Sequence, residues 1–289
     1  MKRSLALFLL LASASWGQQQ LRVIMFGAHP DDCDIKSGGT AVKFAQAGHL
    51  VKYVSLTNGN AGHHEMGGGI LAKRRYAETQ EVKRRIGIAE YQVLDNDDGV
   101  LLPTLEVRKQ VIRAIREWKA DIVIAPRPND YHPDHRYAGV VIQDAAYMVV
   151  VPNVVPDVAP LYNNPIFLYY SDGFQKPSPF RHDVVVAIDD VWPKKLEAFD
   201  AHESQFYEWL PWVEHLLQDV PKDKVARRKW LEGWMDKSWS QPVSAEQRAV
   251  LEKRYGKDAA AKVVRAESFE LCEYGRRPSL EELWKMFPK

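Results

Sequence analysis

Leu21-Arg22-Val23-Ile24-Met25-Phe26-Gly27 runs without a break into Ala28-His29-Pro30-Asp31-Asp32. A compact apolar run ending in glycine predicts a buried strand. The polar turn that follows leaves that strand at its carboxyl end. Residues 121–125 repeat the form, running into Arg127-Pro128-Asn129-Asp130-Tyr131-His132-Pro133-Asp134-His135. Between and after these segments the same alternation continues. Strands are predicted at 50–56 and 91–94, and helices at 40–47 (opened by Ser37-Gly38-Gly39) and 71–86. A helix capped by Thr104 buries Val111, Ile112, Ile115 and Trp118 on one face, and a further helix is predicted over 137–148. Strands spaced by helices of this length form right-handed βαβ units. The expected fold class is therefore α/β, a Rossmann-like, doubly wound, mostly parallel sheet flanked by helices. Ligands of such sheets collect beyond the carboxyl ends of the strands, where strand order reverses.

After residue 150 the character changes. Four prolines, Pro152, Pro156, Pro160 and Pro165, exclude regular structure, and two β runs follow at 166–170 and 184–188. From about 191 onward the chain reads as a helical, Trp-rich C-terminal extension. Its tryptophans, at 192, 209, 212, 230, 234, 239 and 284, are expected to pack the core, with sugar-stacking platforms as the alternative.

The chain has 289 residues, 46% hydrophobic and 27% charged, with a formal net charge of +1. No global field draws it to nucleic acid or an anionic membrane. Lys2 and Arg3 precede an apolar stretch over 5–12, with small residues before Gln18. This is the pattern of a signal peptide spanning 1–20, cleaved after Ala14 or Gly17, with an uncleaved anchor as the alternative. The expectation is an exported protein without stable membrane insertion after cleavage, whose residues 21–289 form one domain. Cys33 and Cys272 allow one disulfide or two free thiols.

Both polar segments combine imidazole with carboxylate. Two histidines and one carboxylate with an open position make a catalytic metal site, and His29, Asp32 and His135 are the expected ligands. Zinc fits this set, although other divalent metals also bind such ligands. Asp31 cannot easily share the ion with its neighbour and is expected to act as general base. His132 is expected, as an imidazolium, to stabilise an oxyanion or protonate a leaving amine, oriented by Asp134. One His-Pro-Asp tripeptide alone would carry little weight, since Asp and His are common in turns. Two such segments at two strand ends carry much more.

Together with Gly38-Gly39, Arg75-Tyr76-Ala77-Glu78, Asp98-Gly99 and Ala201-His202-Glu203-Ser204-Gln205, these segments make the sequence resemble the LmbE/PIG-L family of zinc-dependent de-N-acetylases from residue 23 to about 269. The resemblance implies removal of an acetyl or acyl group from an N-acylated amino sugar or glycan fragment. It also implies the same ligand, base and acid residues, with Arg75 and Asp98 binding substrate. An amidase acting on a larger N-acyl or thiol conjugate is the closest alternative. A non-catalytic exported carbohydrate-binding protein is the alternative of a different class. One departure is Cys33, where the family usually carries Glu; its thiol is expected to be open to oxidation. The 60–69 loop, with His63 and His64, is read either as a mobile pocket wall or as a plain solvated loop, and the acceptor pocket is expected to involve it and the 152–165 segment.

Overall fold

The computed structural model describes residues 20–240 and 242–289, so the signal-peptide reading falls, Gln20 aside, outside the described residues. Seven strands form one sheet: β1 (Arg22–Gly27), β2 (Leu50–Ser55), β3 (Glu90–Val93), β4 (Ile122–Ala125), β5 (Ile166–Tyr170), β6 (Val184–Ala187) and β7 (Ala266–Gly275). Their order is β3-β2-β1-β4-β5-β7-β6. The first five are parallel, while β7 runs antiparallel between β5 and β6. Helices α1 (Asp32–Gln46), α2 (Gly68–Ile86), α3 (Leu105–Trp118) and α4 (Pro133–Met148) connect the parallel strands. Alternation along β1 separates two cores. Val23 and Met25 join the face covered by α1 and α2, and Ile24 and Phe26 join the face covered by α3 and α4. The expected doubly wound sheet is the observed one.

The C-terminal part differs from its sequence reading. Helices α5 (Trp192–Ala201), α6 (Leu210–Val213), α7 (Lys224–Trp234), α8 (Ala245–Tyr255), α9 (Lys257–Ala261) and α10 (Leu280–Met286) are present, but a ten-residue strand, β7, interrupts them. Glu267, Glu270 and Glu273 mask its apolar pattern, and its partners β5 and β6 lie some eighty or more positions away in sequence. Glu267 explains why one of those charges points inward.

Helix α1 begins at Asp32 and is kinked at Ser37 (φ −148°, ψ 16°), so the expected start at Ser37-Gly38-Gly39 marks only its second half. The Ser37 hydroxyl donates back to the Cys33 carbonyl at 2.9 Å. The kink frees two amides, and the buried Glu267 carboxylate accepts from both, Gly39 N at 2.9 Å and Thr40 N at 2.7 Å. Lys195 Nζ neutralises that carboxylate at 2.7 Å. Glu267→Ala orphans two amides and leaves the buried Lys195 ammonium, which keeps only the Ile35 carbonyl at 2.8 Å, without its counter-charge, so it is expected to cost about 3–5 kcal/mol of stability in urea denaturation. A loss under ~1 kcal/mol would show that this cap is dispensable.

The Pro-rich 152–165 segment lies over the α3/α4 core rather than at the ligand end of the sheet. Val154, Val155, Val158 and Leu161 pack there. The Arg116 guanidinium donates to the carbonyls of Met148, Val149, Val151, Val154, Val155 and Val158, tying the segment to α3. No helix among the described residues is long and apolar enough to cross a membrane.

Candidate metal and catalytic site

Strand β1 has β2 on one side and β4 on the other, so the crevice at the switch in strand order opens between the ends of β1 and β4. The two polar segments leave these two ends. In the first, Asp31 N and Asp32 N both donate to the His29 carbonyl, at 2.9 and 3.3 Å, which folds the turn back on itself. Asp32 Oδ2 then accepts from Ala28 N at 2.8 Å and His29 N at 2.9 Å, clamping the carboxylate. Gly27 is required beside it: a Cβ there would lie 2.6 Å from Asp32 Cβ.

In the second segment His132 is the N-cap of α4, and Pro133 follows in the first turn. His135, one turn in, sends Nε2 to within 3.2 Å of His29 Nδ1 and 3.4 Å of Asp32 Oδ1. His29 Nδ1 lies 3.6 Å from Asp32 Oδ2. A tetrahedral zinc with bonds of about 2.0–2.2 Å holds its ligands roughly 3.3–3.6 Å apart. The donor set fits a divalent cation on spacing and on chemistry. Each histidine is also backed at its other nitrogen by carboxylate, as metal-ligating histidines usually are. Asp130 Oδ1 lies 3.0 Å from His135 Nδ1, and Asp98 Oδ1 lies 3.0 Å from His29 Nε2, which has no well-aligned hydrogen bond.

The electrostatics agree with this fit. Burial disfavours a charged His135 ring, but Asp32 and Asp130 outweigh it and push its pKa up to about 9. Burial likewise opposes charge on His29, yet Asp134, Asp32 and Asp98 raise its pKa well above the usual imidazole value. Burial acts to raise the Asp32 pKa, but His135 and His29 hold it well below the carboxylate range. The pocket thus concentrates negative charge and demands a positive occupant, whether protons or a metal.

Asp134 departs from its expected role. Its carboxylate accepts from Gly99 N at 2.7 Å and Leu101 N at 3.2 Å, and one oxygen lies 3.5 Å from His29 Nε2. It braces His29 and the 99–101 turn. What orients His132 is the Asp134 backbone amide, which donates to His132 Nδ1 at 3.2 Å. An accepting Nδ1 leaves Nε2 as the proton-bearing nitrogen of a neutral ring. Burial and the neighbouring His29 and His135 lower the His132 pKa, which with the accepting Nδ1 favours a neutral donor over the expected imidazolium.

Asp31, buried beside the ligands, accepts from Arg75 Nη2 through Oδ1 at 3.0 Å. Arg75 is only 2% exposed, and its other contacts are the Gly59 carbonyl at 3.3 Å and Asp98 Oδ2 at 3.7 Å. Arg75 and Asp98, expected to bind substrate, both line the cleft while engaging the catalytic groups themselves.

The 60–69 loop is pinned. His63 Nε2 meets Glu208 Oε2 at 2.8 Å, Arg74 holds the same carboxylate with two hydrogen bonds, and His63 Nδ1 accepts from Glu65 N and Met66 N. Ala61 and Gly62 reach the cleft, whereas His63 and His64 do not. His202 pairs with Asp34 at 2.9 Å in the interior, both fully buried. Both cysteines are free and buried, and burial raises each thiol pKa, so Cys33 is no readily oxidised thiolate.

A cleft of about 650 Å³ opens over the site. Its far walls come from Asp172, Gly173 and Phe174 in the β5–β6 loop and from Gln205, Trp209, Leu210, Val213 and Trp239 of the C-terminal part; of these, Trp209 and Trp239 were expected in the core, with sugar stacking as the alternative, and Asp172–Phe174, Leu210 and Val213 had no assigned role. Nothing from 152–165 lines it, which corrects the expected acceptor pocket. Trp230 and Trp234 pack the C-terminal helical core as expected, while Trp209 and Trp239 reach the cleft. Asp130 was legible in principle, lying five residues before His135 in the quoted segment.

Residues 24–146 match the family described as PIG-L, GlcNAc-PI de-N-acetylase. A diacetylchitobiose deacetylase of Thermococcus kodakarensis is 35% identical over 207 residues, covering 68% of this chain and 74% of the relative. The Bacillus anthracis protein named "Probable N-acetyl-alpha-D-glucosaminyl L-malate deacetylase 2" is 27% identical over 225 residues, 74% of this chain and 93% of the relative. The solved structure of N,N'-diacetylchitobiose deacetylase from Pyrococcus horikoshii aligns with a TM-score of 0.63 at 26% identity, covering 86% of this chain and 83% of that one. His29, Asp31, Asp32, Arg75, Asp98, His132, Asp134 and His135 all fall inside the matched 24–146 region. On these grounds the chain belongs to the PIG-L (LmbE) family, whose members are metal-dependent deacetylases.

Proposed function

We propose that this protein hydrolyses the amide of an N-acylated amino sugar, releasing the acid and the free amine. The observation that carries the reading is the convergence of His29 Nδ1, Asp32 and His135 Nε2 beside the Asp31 carboxylate, at the floor of an open cleft. His29, Asp32 and His135 would hold the metal, and zinc is the ion this ligand set suits best. Such an ion supplies an acidified water and polarises the substrate carbonyl.

The rest of the chemistry belongs to the chain. Asp31, fixed through Oδ1 by Arg75, takes the proton of the attacking water on its other oxygen. His132 presents Nε2–H to the carbonyl oxygen as negative charge develops there. As the carbon–nitrogen bond breaks, the proton held by Asp31 passes to the departing amine. Asp98 and Asp134 hold the His29 ring, and Asp130 holds His135.

Elemental analysis of the purified protein, combined with acetate release from N-acetylglucosamine, diacetylchitobiose and N-acetylglucosaminides, tests this reading. The expected result is bound zinc, turnover of at least one sugar, loss of turnover on chelation and recovery with added zinc. A metal-loaded protein that binds these sugars without releasing acetate would favour the binding-protein alternative. Lys2 and Arg3 ahead of the apolar 5–12 stretch support export, which directs the enzyme to envelope or extracellular glycan fragments. Recovery of the protein in the cytosolic fraction alone would overturn that placement.

A further inference from the structure

Arg75 holds the Asp31 carboxylate, so whatever holds Arg75 also sets where the base points. The backbone of the loop after β2 lies directly against the guanidinium. Gly59, at φ 70°, comes so close that a Cβ there would lie 2.6 Å from Nη1 and 2.7 Å from Cζ. A Cβ on Gly62 would lie 2.9 Å from Nη1 and 3.2 Å from Asp98 Oδ2. The two glycines form one face of the slot that Arg75 occupies, and the slot keeps its shape only while the loop stays in place.

That loop is fastened from behind by residues outside the family-matched 24–146. Gln205 Nε2 donates to the Gly62 carbonyl at 3.2 Å. His63 Nδ1 accepts from Glu65 N at 3.1 Å and Met66 N at 3.2 Å, which leaves the ring proton on Nε2. Nε2 donates it to Glu208 Oε2 at 2.8 Å, so one imidazole joins the loop to Glu208. Arg74, the neighbour of Arg75 on α2, grips the same carboxylate at both oxygens, each at 2.6 Å. One turn further along α2, Glu78 accepts from Ser204 N at 2.9 Å and Ser204 Oγ at 2.6 Å. Residues 204–208 are thus tied both to the turn of α2 that carries Arg75 and to the loop that covers it.

We propose that Glu208 is a positioning residue for the base: through His63 and Arg74 it clamps the 59–66 loop onto the Arg75 guanidinium and so fixes Asp31. The inference rests on the hydrolase reading. Glu208 itself does not line the cleft, whereas its neighbours Trp209, Leu210 and Val213 do and give the cleft an apolar wall. A loss felt through that wall raises KM, while a loss felt through the base lowers kcat. Once the loop lifts, the guanidinium gains room and the Asp31 carboxylate is free to turn away from the attacking water. Misplacing a reacting group by about 1 Å costs up to ~10²-fold in rate. The Glu208 side chain is 34% exposed, so its removal leaves global stability nearly unchanged.

The test measures kcat and KM of the zinc-loaded protein on whichever N-acetyl sugar it turns over. Glu208→Ala is expected to lower kcat about tenfold with KM within about twofold of the parent. Glu208→Gln, whose amide oxygen still accepts from both His63 and Arg74, is expected to recover most of that loss. In the Asp31→Asn background, adding Glu208→Ala is expected to lower the residual rate no further, because the clamp acts through a base already removed. An equal loss in both backgrounds, a kcat within about twofold of the parent, or a change confined to KM would overturn the proposal. Hydrogen exchange reads the clamp without any turnover. The Glu65 and Met66 amides are expected to exchange about tenfold faster or more in Glu208→Ala and in His63→Ala, with the melting temperature nearly unchanged. Faster exchange in these variants of a protein that releases no acetate leaves the clamp standing and removes the reaction it serves. Turnover with exchange unaltered in both variants does the reverse.

Discussion

Asp31→Asn is expected to lower kcat by about 10²–10⁴-fold while the protein keeps its metal, its fold and its affinity for product. The substitution removes the proton acceptor and little else. The amide oxygen of asparagine can still accept from Arg75 Nη2, now 3.0 Å from Asp31 Oδ1, so the buried guanidinium retains its partner. Asp31 makes no contact with His135, whereas Asp32 lies 3.4 Å from it, so metal content is not expected to change. Single-turnover kinetics with elemental analysis of the same sample check both halves. A kcat within about twofold of the parent would exclude Asp31 as base, because a positioned base contributes far more than that.

His135→Ala is expected to abolish metal binding and turnover together, since it removes one of the three proposed protein ligands from a site of the catalytic type, which keeps a coordination position open. Asp130→Ala probes the same site more gently. Asp130 touches His135 only at Nδ1, 3.0 Å away, so losing it frees the ring without deleting a ligand. The expected effect is a loss of metal affinity of about 10–100-fold, measured by competition with a chelating dye. The ring nitrogens of His29, His132 and His135 lie within 4.8 Å of one another, and so do the ligand atoms of His29, Asp98 and Asp134. Full metal content in His135→Ala would therefore shift the assignment to the His29, Asp98 and Asp134 set, which lacks His135. The backbone amides speak against that shift, because they occupy both oxygens of Asp134, whereas the two on Asp32 share Oδ2 and leave Oδ1 to face the ion.

Much of the site was legible because its residues lie close in sequence to strand ends. An apolar run followed at once by His29, Asp31 and Asp32, and another followed by His132, Asp134 and His135, needs only the parallel-sheet rule to bring the two together. Side-chain roles were less legible. The sequence shows that Asp134 neighbours His132. It does not show that the α4 N-terminus turns the carboxylate toward Gly99 N and offers His132 a backbone amide instead. Arg75 was expected to bind substrate, and its 2% exposure follows from packing between Asp31, Asp98 and the Gly59 turn.

The sequence by itself determined the doubly wound core and the polar segments at its switch point, because hydrophobic period and strand-end position are local properties. Only the tertiary structure decided the placement of β7, the inward turn of Glu267 to cap the kink in α1, and the apolar wall facing the metal ligands. Each of these depends on partners far away in sequence. No local pattern in β7 reports that its glutamate will meet two freed amides more than two hundred residues upstream. Nor does the spacing of Trp209 and Trp239 reveal that two π-turns will aim both rings into one cleft.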